Sequence, residues 1–279
     1  MTKVKWATNE KGSWWMTAAV KDRLPAGYYD MGLDQVGNLL FSEIKLNTDN
    51  LYLLPRSTTD TVMQEIQDFW TKKDAFKKYG FLFKRGVLLY GPPGTGKTSL
   101  INLVVAEAAK LDAICLRMGS PGMAKIGMQT LREAYTDRPI IVFIEDIDRW
   151  ASHSEEELLS LLDGSDQVDN VVFIATTNYL SSLPARIVNR PSRFDRRIEV
   201  GAPSVETKVL FFENLSKERG NAEWKEWAQK TDGLSFAHLK EIFIAVKILG
   251  LTFDQAMENV KDLDISEEDE GEDEDDGWG

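Results

Sequence analysis

Gly91-Pro92-Pro93-Gly94-Thr95-Gly96-Lys97-Thr98 decides the reading of this 279-residue chain. The octapeptide fits G-x-x-x-x-G-K-[ST], a loop whose backbone N–H groups converge on a polyphosphate. Gly91, Gly94 and Gly96 admit the positive φ and the close backbone approach that such a cradle needs. Pro92, Pro93 and Thr95 complete the loop, Lys97 brings a point charge for the β and γ phosphates, and the Thr98 hydroxyl suits Mg²⁺. Upstream, Arg85 to Tyr90 reads as a short buried strand. Downstream, Ser99 to Lys110 predicts a helix with Leu100, Leu103, Val104 and Ala108 inward and its N-terminus toward the phosphates.

Three further stretches carry chemistry. Ile140 to Asp148 is an apolar strand ending in carboxylates, and beside a phosphate loop such acids can organise Mg²⁺ and polarise a water. Val171 to Asn178 is a second buried strand, ending in an amide able to reach a phosphate or a water. Arg190-Pro191-Ser192-Arg193-Phe194-Asp195-Arg196-Arg197 is a dense basic cluster, and arginine suits bidentate capture of phosphate oxygens.

Strands alternating with helices predict an α/β fold, a parallel sheet sandwiched by helices. A helix is expected from about Asp60 to Tyr79, a strand at 113–117, a helix near 128–136, a strand at 140–145, a helix near 154–162 and a strand at 170–175. The expected division is a short β-rich module at 1–50 with dense aromatics (Trp6, Trp14, Trp15, Tyr28, Tyr29), a large nucleotide-binding domain at 51–203, and a small all-α lid at 204–263. Residues 264–279 form an acidic tail expected to be disordered.

Composition narrows the class. Hydrophobic residues make up 43%, enough for a real core, and no apolar run reaches membrane-spanning length. One cysteine, Cys115, gives no disulfide framework, and with two histidines no ordinary zinc site. A cytoplasmic protein is expected. The net charge of −12 is concentrated in Glu267 to Asp276, where nine of ten residues are acidic, so the body is near neutral and non-specific DNA binding is not favoured.

Together these motifs resemble the AAA family of ATPases, within the AAA+ class, over roughly residues 54–250. The architecture is similar to the small single-domain AAA proteins of phages and bacteria. The resemblance implies ATP and Mg²⁺ as ligands and a homo-oligomeric, hexameric ring. It places Lys97 and Thr98 at the phosphate and metal, Glu145 on the metal side with Thr98, Asp146 as water-activating residue, and Asn178 as reader of the γ-phosphate. Arg190 and Arg193 match the family's two arginine fingers, which complete a neighbouring subunit's site, and Ala237 takes the small position at the lid-helix entry. Two departures stand out. The usual Asp-Glu order is inverted to Glu145-Asp146. The central-loop stretch Ser120 to Gly127 carries Lys125 where peptide-threading relatives place an aromatic residue, with Met123 and Ile126 nearby.

Three functions follow from the resemblance: remodelling or assembly of a protein substrate, which leads; a nucleic-acid-directed loader or motor; and a nucleotide-gated scaffold with slow hydrolysis. No membrane partner is expected.

Overall fold

Val87 to Leu89, Ile140 to Ile144 and Val171 to Ala175 are almost wholly buried, as strands covered on both faces must be. In the computed structural model, which describes residues 5–8, 14–17, 21–35, 37–46, 58–164 and 167–269, they belong to one seven-stranded sheet. The short strands β1 (Lys5–Thr8) and β2 (Trp14–Thr17) pair separately and antiparallel. The sheet comprises β3 (Gly27–Leu33), β4 (Leu39–Glu43), β5 (Lys84–Tyr90), β6 (Ile114–Arg117), β7 (Ile140–Ile144), β8 (Val171–Thr177) and β9 (Arg196–Glu199). Its order is β4-β3-β6-β7-β8-β5-β9, and only β4 runs antiparallel to its neighbour.

Alternation along the strands feeds two cores. Leu88, Leu116, Val142 and Phe173 face α4 (Pro121–Ala134), α5 (Ile147–His153), α6 (Glu155–Asp163) and the short α7 (Ala185–Val188). Val87, Leu89, Cys115, Phe143 and Ile174 face α1 (Thr58–Trp70) and α3 (Lys97–Lys110). The chain leaves β5 through α3 and passes over β8 and β7 to reach β6, then later passes from β8 over β5 to reach β9. The reversal opens a crevice at the carboxyl ends of the strands beside β5, where open α/β sheets bind ligands.

Several elements differ from the expectation. β3 and β4, inside the stretch 1–50, extend the main sheet: Tyr28 pairs with Cys115 and Tyr29 with Leu116. The aromatic density there is spent partly on the common core, since Tyr28 and Tyr29 are buried; the inward packing of Trp6, Trp14 and Trp15 concerns side chains outside the described residues. The single helix expected over 60–79 is broken after Trp70, and α2 (Lys73–Tyr79) follows. That turn lets Phe69 and Phe76 converge on Phe83, with ring centroids 4.2 and 5.2 Å away.

The stretch Ser120–Gly127 is no loop. Ser120 caps α4 by accepting from Met123 N at 3.2 Å, and Pro121 stands in the first turn, where its missing N–H costs nothing. Gly127 lies within α4, where a Cβ would meet Met31 Sδ at 2.2 Å. β9 went unread because three of its four residues are charged and only Ile198 points inward.

The lid packs α8 (Val205–Ser216), α9 (Ala222–Lys230), α10 (Phe236–Lys247) and α11 (Phe253–Asp269) around Phe212, Trp224, Trp227, Leu239 and Ile242. α11 carries helical backbone to Asp269, into the segment expected to be disordered from 264, because each added residue extends an existing helix without a new nucleus. The remainder of that tail, 270–279, lies outside the described residues. Among the described residues no helix is long and apolar enough to cross a membrane.

The tightest backbone approach in the sheet is at Gly86, where a Cβ would lie 1.8 Å from the Arg193 carbonyl oxygen. Gly86→Ala is expected to cost about 3 kcal/mol of stability by forcing the Arg193–Phe194 backbone off β5. Urea unfolding measures it; a wild-type midpoint would mean that this contact does not constrain the fold.

Candidate nucleotide site

The loop between β5 and α3 turns through Gly91, Gly94 and Gly96, all at positive φ (148°, 72° and 101°). A side chain could not replace the first two without collision. A Cβ on Gly91 would meet Val200 O at 2.3 Å, and one on Gly94 would meet Ser235 Oγ at 2.8 Å and the Ala237 methyl at 2.9 Å. The second contact explains the small residue at 237: the lid-helix entry lies directly on the loop, and Ala237 N donates to Gly94 O at 3.3 Å.

Lys97 opens α3 and is buried, its Nζ donating to Gly91 O at 2.6 Å and Pro92 O at 2.8 Å. Burial lowers its pKa below the ordinary lysine value, and the negative charge of Asp146 partly opposes this. Thr95 Oγ1 donates to Pro92 O at 2.9 Å and stiffens the turn.

Glu145 and Asp146 follow β7. Asp146 takes a left-handed conformation (φ 48°, ψ 59°) at the start of α5, an arrangement short polar side chains tolerate better than most. It turns the chain abruptly from strand to helix and leaves both carboxylates on the crevice. Thr176 Oγ1 accepts from Asp146 N at 3.2 Å, and Thr177 Oγ1 donates to Asp148 Oδ1 at 2.8 Å, so the end of β8 braces the acidic turn. Burial and the like charge of Asp146 push the Glu145 carboxyl above its usual range, against an opposing pull from Arg117.

These elements surround one cavity of about 470 Å³, lined by Pro93, Gly94, Gly96, Lys97, Thr98, Ser99, Glu145, Asp146, Thr176 and Asn178 from the sheet side. The lid supplies Phe211, Leu215, Phe236, Ala237 and Lys240. Gly91, Pro92 and Thr95 shape the loop from behind without lining the cavity. Sequence reasoning missed Thr176, whose signal was only its place before Asn178, and Phe211, Leu215 and Lys240 of the lid, which no spacing in the chain joins to the phosphate loop.

The donors fit a small hard cation. Thr98 and Glu145 offer a hydroxyl and a carboxylate beside Lys97, and among the described residues no cluster of three acidic, histidine or cysteine side chains forms a closed metal cage. Mg²⁺ characteristically binds through one or two protein oxygens and shares the rest with substrate phosphates and water.

Arg190 and Arg193 do not line this cavity. Arg193 is buried at 4% exposure, with Nε 3.0 Å from Asp163 Oδ2, its Nη2 3.2 Å from Oδ1, and Nη1 donating to Arg186 O. Arg190 also approaches Asp163, at 3.3 Å, but its side chain is 61% exposed. Burial would raise the Asp163 pKa, yet the hydrogen bonds from Arg193 and Ser192 and the nearby arginine charges prevail and hold it below the usual carboxylate range. One cluster thus contains a sequestered arginine and a surface one.

A nucleotide-sized crevice at a glycine-rich loop, faced by strand-end acids and covered by a helical lid, defines a P-loop nucleotide-binding protein. Residues 87–202 match the model of the ATPase family associated with various cellular activities (AAA). The chain is 30% identical over 221 residues to the 26S proteasome regulatory subunit 6A of Saccharomyces cerevisiae, covering 70% of this chain and 50% of that protein. It is 33% identical over 213 residues to the proteasome-activating nucleotidase of Sulfurisphaera tokodaii (68% and 54%). With the ATP-dependent zinc metalloprotease FtsH 2 of Thermoanaerobacter sp. it shares 28% over 235 residues (72% and 46%). The chain spans about half the length of these relatives. It belongs to the AAA family.

The raised Glu145 pKa makes a stability prediction. The native state holds that proton to higher pH than the unfolded chain does, so stability falls as pH rises from the ordinary glutamate pKa through the raised one, and the cost is fully present at neutral pH. Glu145→Gln should therefore raise the nucleotide-free melting temperature at pH 7.5, and the gain should vanish below about pH 4, under the ordinary glutamate pKa. Thermal melts across pH check this; a gain that grows toward acid would reverse the sign.

Proposed function

We propose that the protein binds Mg²⁺-ATP in this cavity, hydrolyses it, and couples the cycle to remodelling or assembly of a protein substrate as a ring of identical copies. The observation that carries the reading is the convergence of the phosphate loop, the two strand-end carboxylates, Asn178 and the lid on one crevice. The relatives lend the rest: their names describe proteasome ATPase subunits, nucleotidases and an ATP-dependent protease. The single buried thiol, Cys115, suits a cytoplasmic setting.

In this mechanism the loop N–H groups and Lys97 bind the β and γ phosphates, with Lys97 exchanging its carbonyl partners for phosphate oxygens. Thr98 and Glu145 would hold Mg²⁺, which when bound would supply charge neutralisation at the phosphates. Asp146 accepts a proton from the attacking water as that oxygen bonds to the γ phosphorus and the bond to the ADP oxygen breaks. Asn178 orients the water or the γ-phosphate. Asp is one methylene shorter than Glu, and it stands at a left-handed turn where its side chain lines the crevice.

Of the two cluster arginines, Arg190 is the one free enough of its own chain to reach a neighbouring copy's phosphates. Arg193 serves as its support: its buried pairing with Asp163 anchors the turn that carries Arg190. The placement of Ser120 to Gly127 in α4 favours neither a threading loop nor a nucleic-acid-tracking loop at that point.

Lys97→Ala should abolish ATP turnover while preserving the fold, and Asp146→Asn should keep ATP binding but slow hydrolysis by roughly 10²- to 10⁴-fold. Steady-state phosphate release and fluorescent-nucleotide binding measure the two; unchanged turnover in Lys97→Ala would sink the assignment. Arg190→Ala should lose on the order of 10³-fold in turnover and partly regain it when mixed with Lys97→Ala, because mixed interfaces then pair an intact loop with an intact finger. Arg193→Ala should instead lower the melting temperature. No rescue among demonstrably mixed subunits would place Arg190 outside the neighbour's site.

A further inference from the structure

Residues 71–85 hold six basic side chains against one acid, Asp74, in a chain whose net charge is −12. Four of the six, Lys72, Lys73, Lys77 and Lys78, lie on α2 or at its start. Lys73 pairs with Asp137, and Lys78 Nζ stands 5.5 Å from the centroid of the Tyr79 ring. Lys72 and Lys77 are exposed, and among the described residues neither makes an ion pair. The chain then turns at Gly80 (φ 71°) into Phe81. Phe81 is 70% exposed, the most exposed large apolar side chain among the described residues, and Tyr79 is 69% exposed. Aromatic rings standing in water among unpaired lysines mark a surface for a partner that is both acidic and aromatic.

Beside this surface lies a second cavity, of about 270 Å³, with Phe69 and Phe76 on its walls and Lys72, Lys84 and Arg85 around it. It falls below the roughly 300–1,000 Å³ of small-molecule clefts, and an aromatic wall of this size suits a single side chain. Asp68 and Asp195 also line it. Asp195 is taken by Arg85 at 3.2 Å, and Lys84 donates to Leu162 O and, at 2.6 Å, to Gln167 Oε1. Lys72 is the cation left open there. With Asp137 already spent on Lys73, three lysines face only Asp68 and Asp74, and the surplus is positive.

One segment of the chain matches this surface in both respects. Glu267 to Asp276 holds nine acids in ten residues, and Trp278 follows one glycine later. Ten extended residues reach about 33 Å, roughly three times the length of a seven-residue helix, so the acidic run can pass every lysine of α2. We propose that α2 and the turn after it are the docking surface for this chain's own acidic segment, with the acids on Lys72, Lys77 and Lys78 and Trp278 in the cavity between Phe69 and Phe76. The docked segment covers Tyr79 and Phe81, and a partner that needs this face must displace it. The pairs are solvent-exposed, so ionic strength sets the occupancy. No residue of this surface lines the nucleotide cavity, and the proposal stands apart from the nucleotide reading.

The test uses the full chain. A water-soluble carbodiimide, which joins an amine to a carboxylate it touches, is expected to link Lys72, Lys77 or Lys78 to acids of 267–276, as read by peptide mass spectrometry. The yield should fall about fivefold between 0.1 and 1 M NaCl, where the screening length drops from about 10 to 3 Å. Because Cys115 is buried, a Gly279→Cys variant takes a thiol-reactive dye at one place, and dye anisotropy then follows the segment. In that background the triple variant Lys72→Gln, Lys77→Gln, Lys78→Gln at 0.1 M salt should show the anisotropy that the unsubstituted lysines show at 1 M. Trp278→Ala should fall between the two. Circular dichroism confirms that the exposed substitutions leave the fold intact. Cross-links confined to lysines outside α2, or anisotropy unchanged in the triple variant, would overturn the proposal. Anisotropy unchanged by Trp278→Ala would overturn the seating of that ring in the cavity. Sedimentation of the protein with phosphatidylserine-containing vesicles through the α2 lysines, with the dye mobile throughout, would overturn it in favour of an anionic membrane surface.

Discussion

Backbone packed directly on backbone at the phosphate loop is the constraint on which the rest of this structure depends. Gly86 lies against the Arg193–Phe194 segment, Gly91 against Val200, and Gly94 against the lid at Ser235 and Ala237. No Cβ fits at any of the three. The loop is thus clasped by the strand that follows the arginine cluster and by the first turn of α10, elements more than a hundred residues downstream in the chain. Bringing them this close places acidic strand ends, Asn178 and lid side chains around a single crevice, and it leaves the loop N–H groups little freedom to collapse inward.

Charge is distributed around that clasp with distinct purposes. Lys97 is buried among carbonyl oxygens, and its ammonium is held there at an electrostatic cost that a phosphate oxygen would relieve. Glu145 lines the same crevice with its charge disfavoured by burial and by Asp146, so both signs are poised to be neutralised by ligand rather than by each other. This arrangement is typical of sites that sacrifice stability for chemistry. Arg193 and Asp163, by contrast, satisfy one another inside the chain, and a buried pair of that kind is an anchor rather than a reagent.

The extension of the sheet by β3 and β4 alters the side of the molecule next to β6. Tyr28 lies edge-on to Phe143 at 5.6 Å, and Asp30 pairs with Arg117, so residues from the N-terminal stretch buttress the strand that bears Glu145. Only three residues separate β6 from α4, the last of them the serine cap.

The phosphate loop, the two buried strands with their polar ends and the helical lid were legible from the chain because each is written in contiguous residues: a glycine pattern, an apolar run, a helical period. Glu145, Asp146 and Asn178 could be named for the same reason, since strand ends carry their polar residues in register with the loop. β9 was hidden by its charges, the first half of α4 by the glycines at 122 and 127 that look like loop residues, and the place of β3 by its distance from β6, since pairing across 87 residues leaves no local pattern. The two cluster arginines read alike in sequence, being the same residue three positions apart. Only the tertiary structure separates them, burying one on Asp163 and exposing the other, because burial is a property of what packs from elsewhere in the chain. For the same reason the sequence determined which residues could bind phosphate from the loop, while the fold alone decided that Phe211 and Leu215 of the lid would line the same crevice.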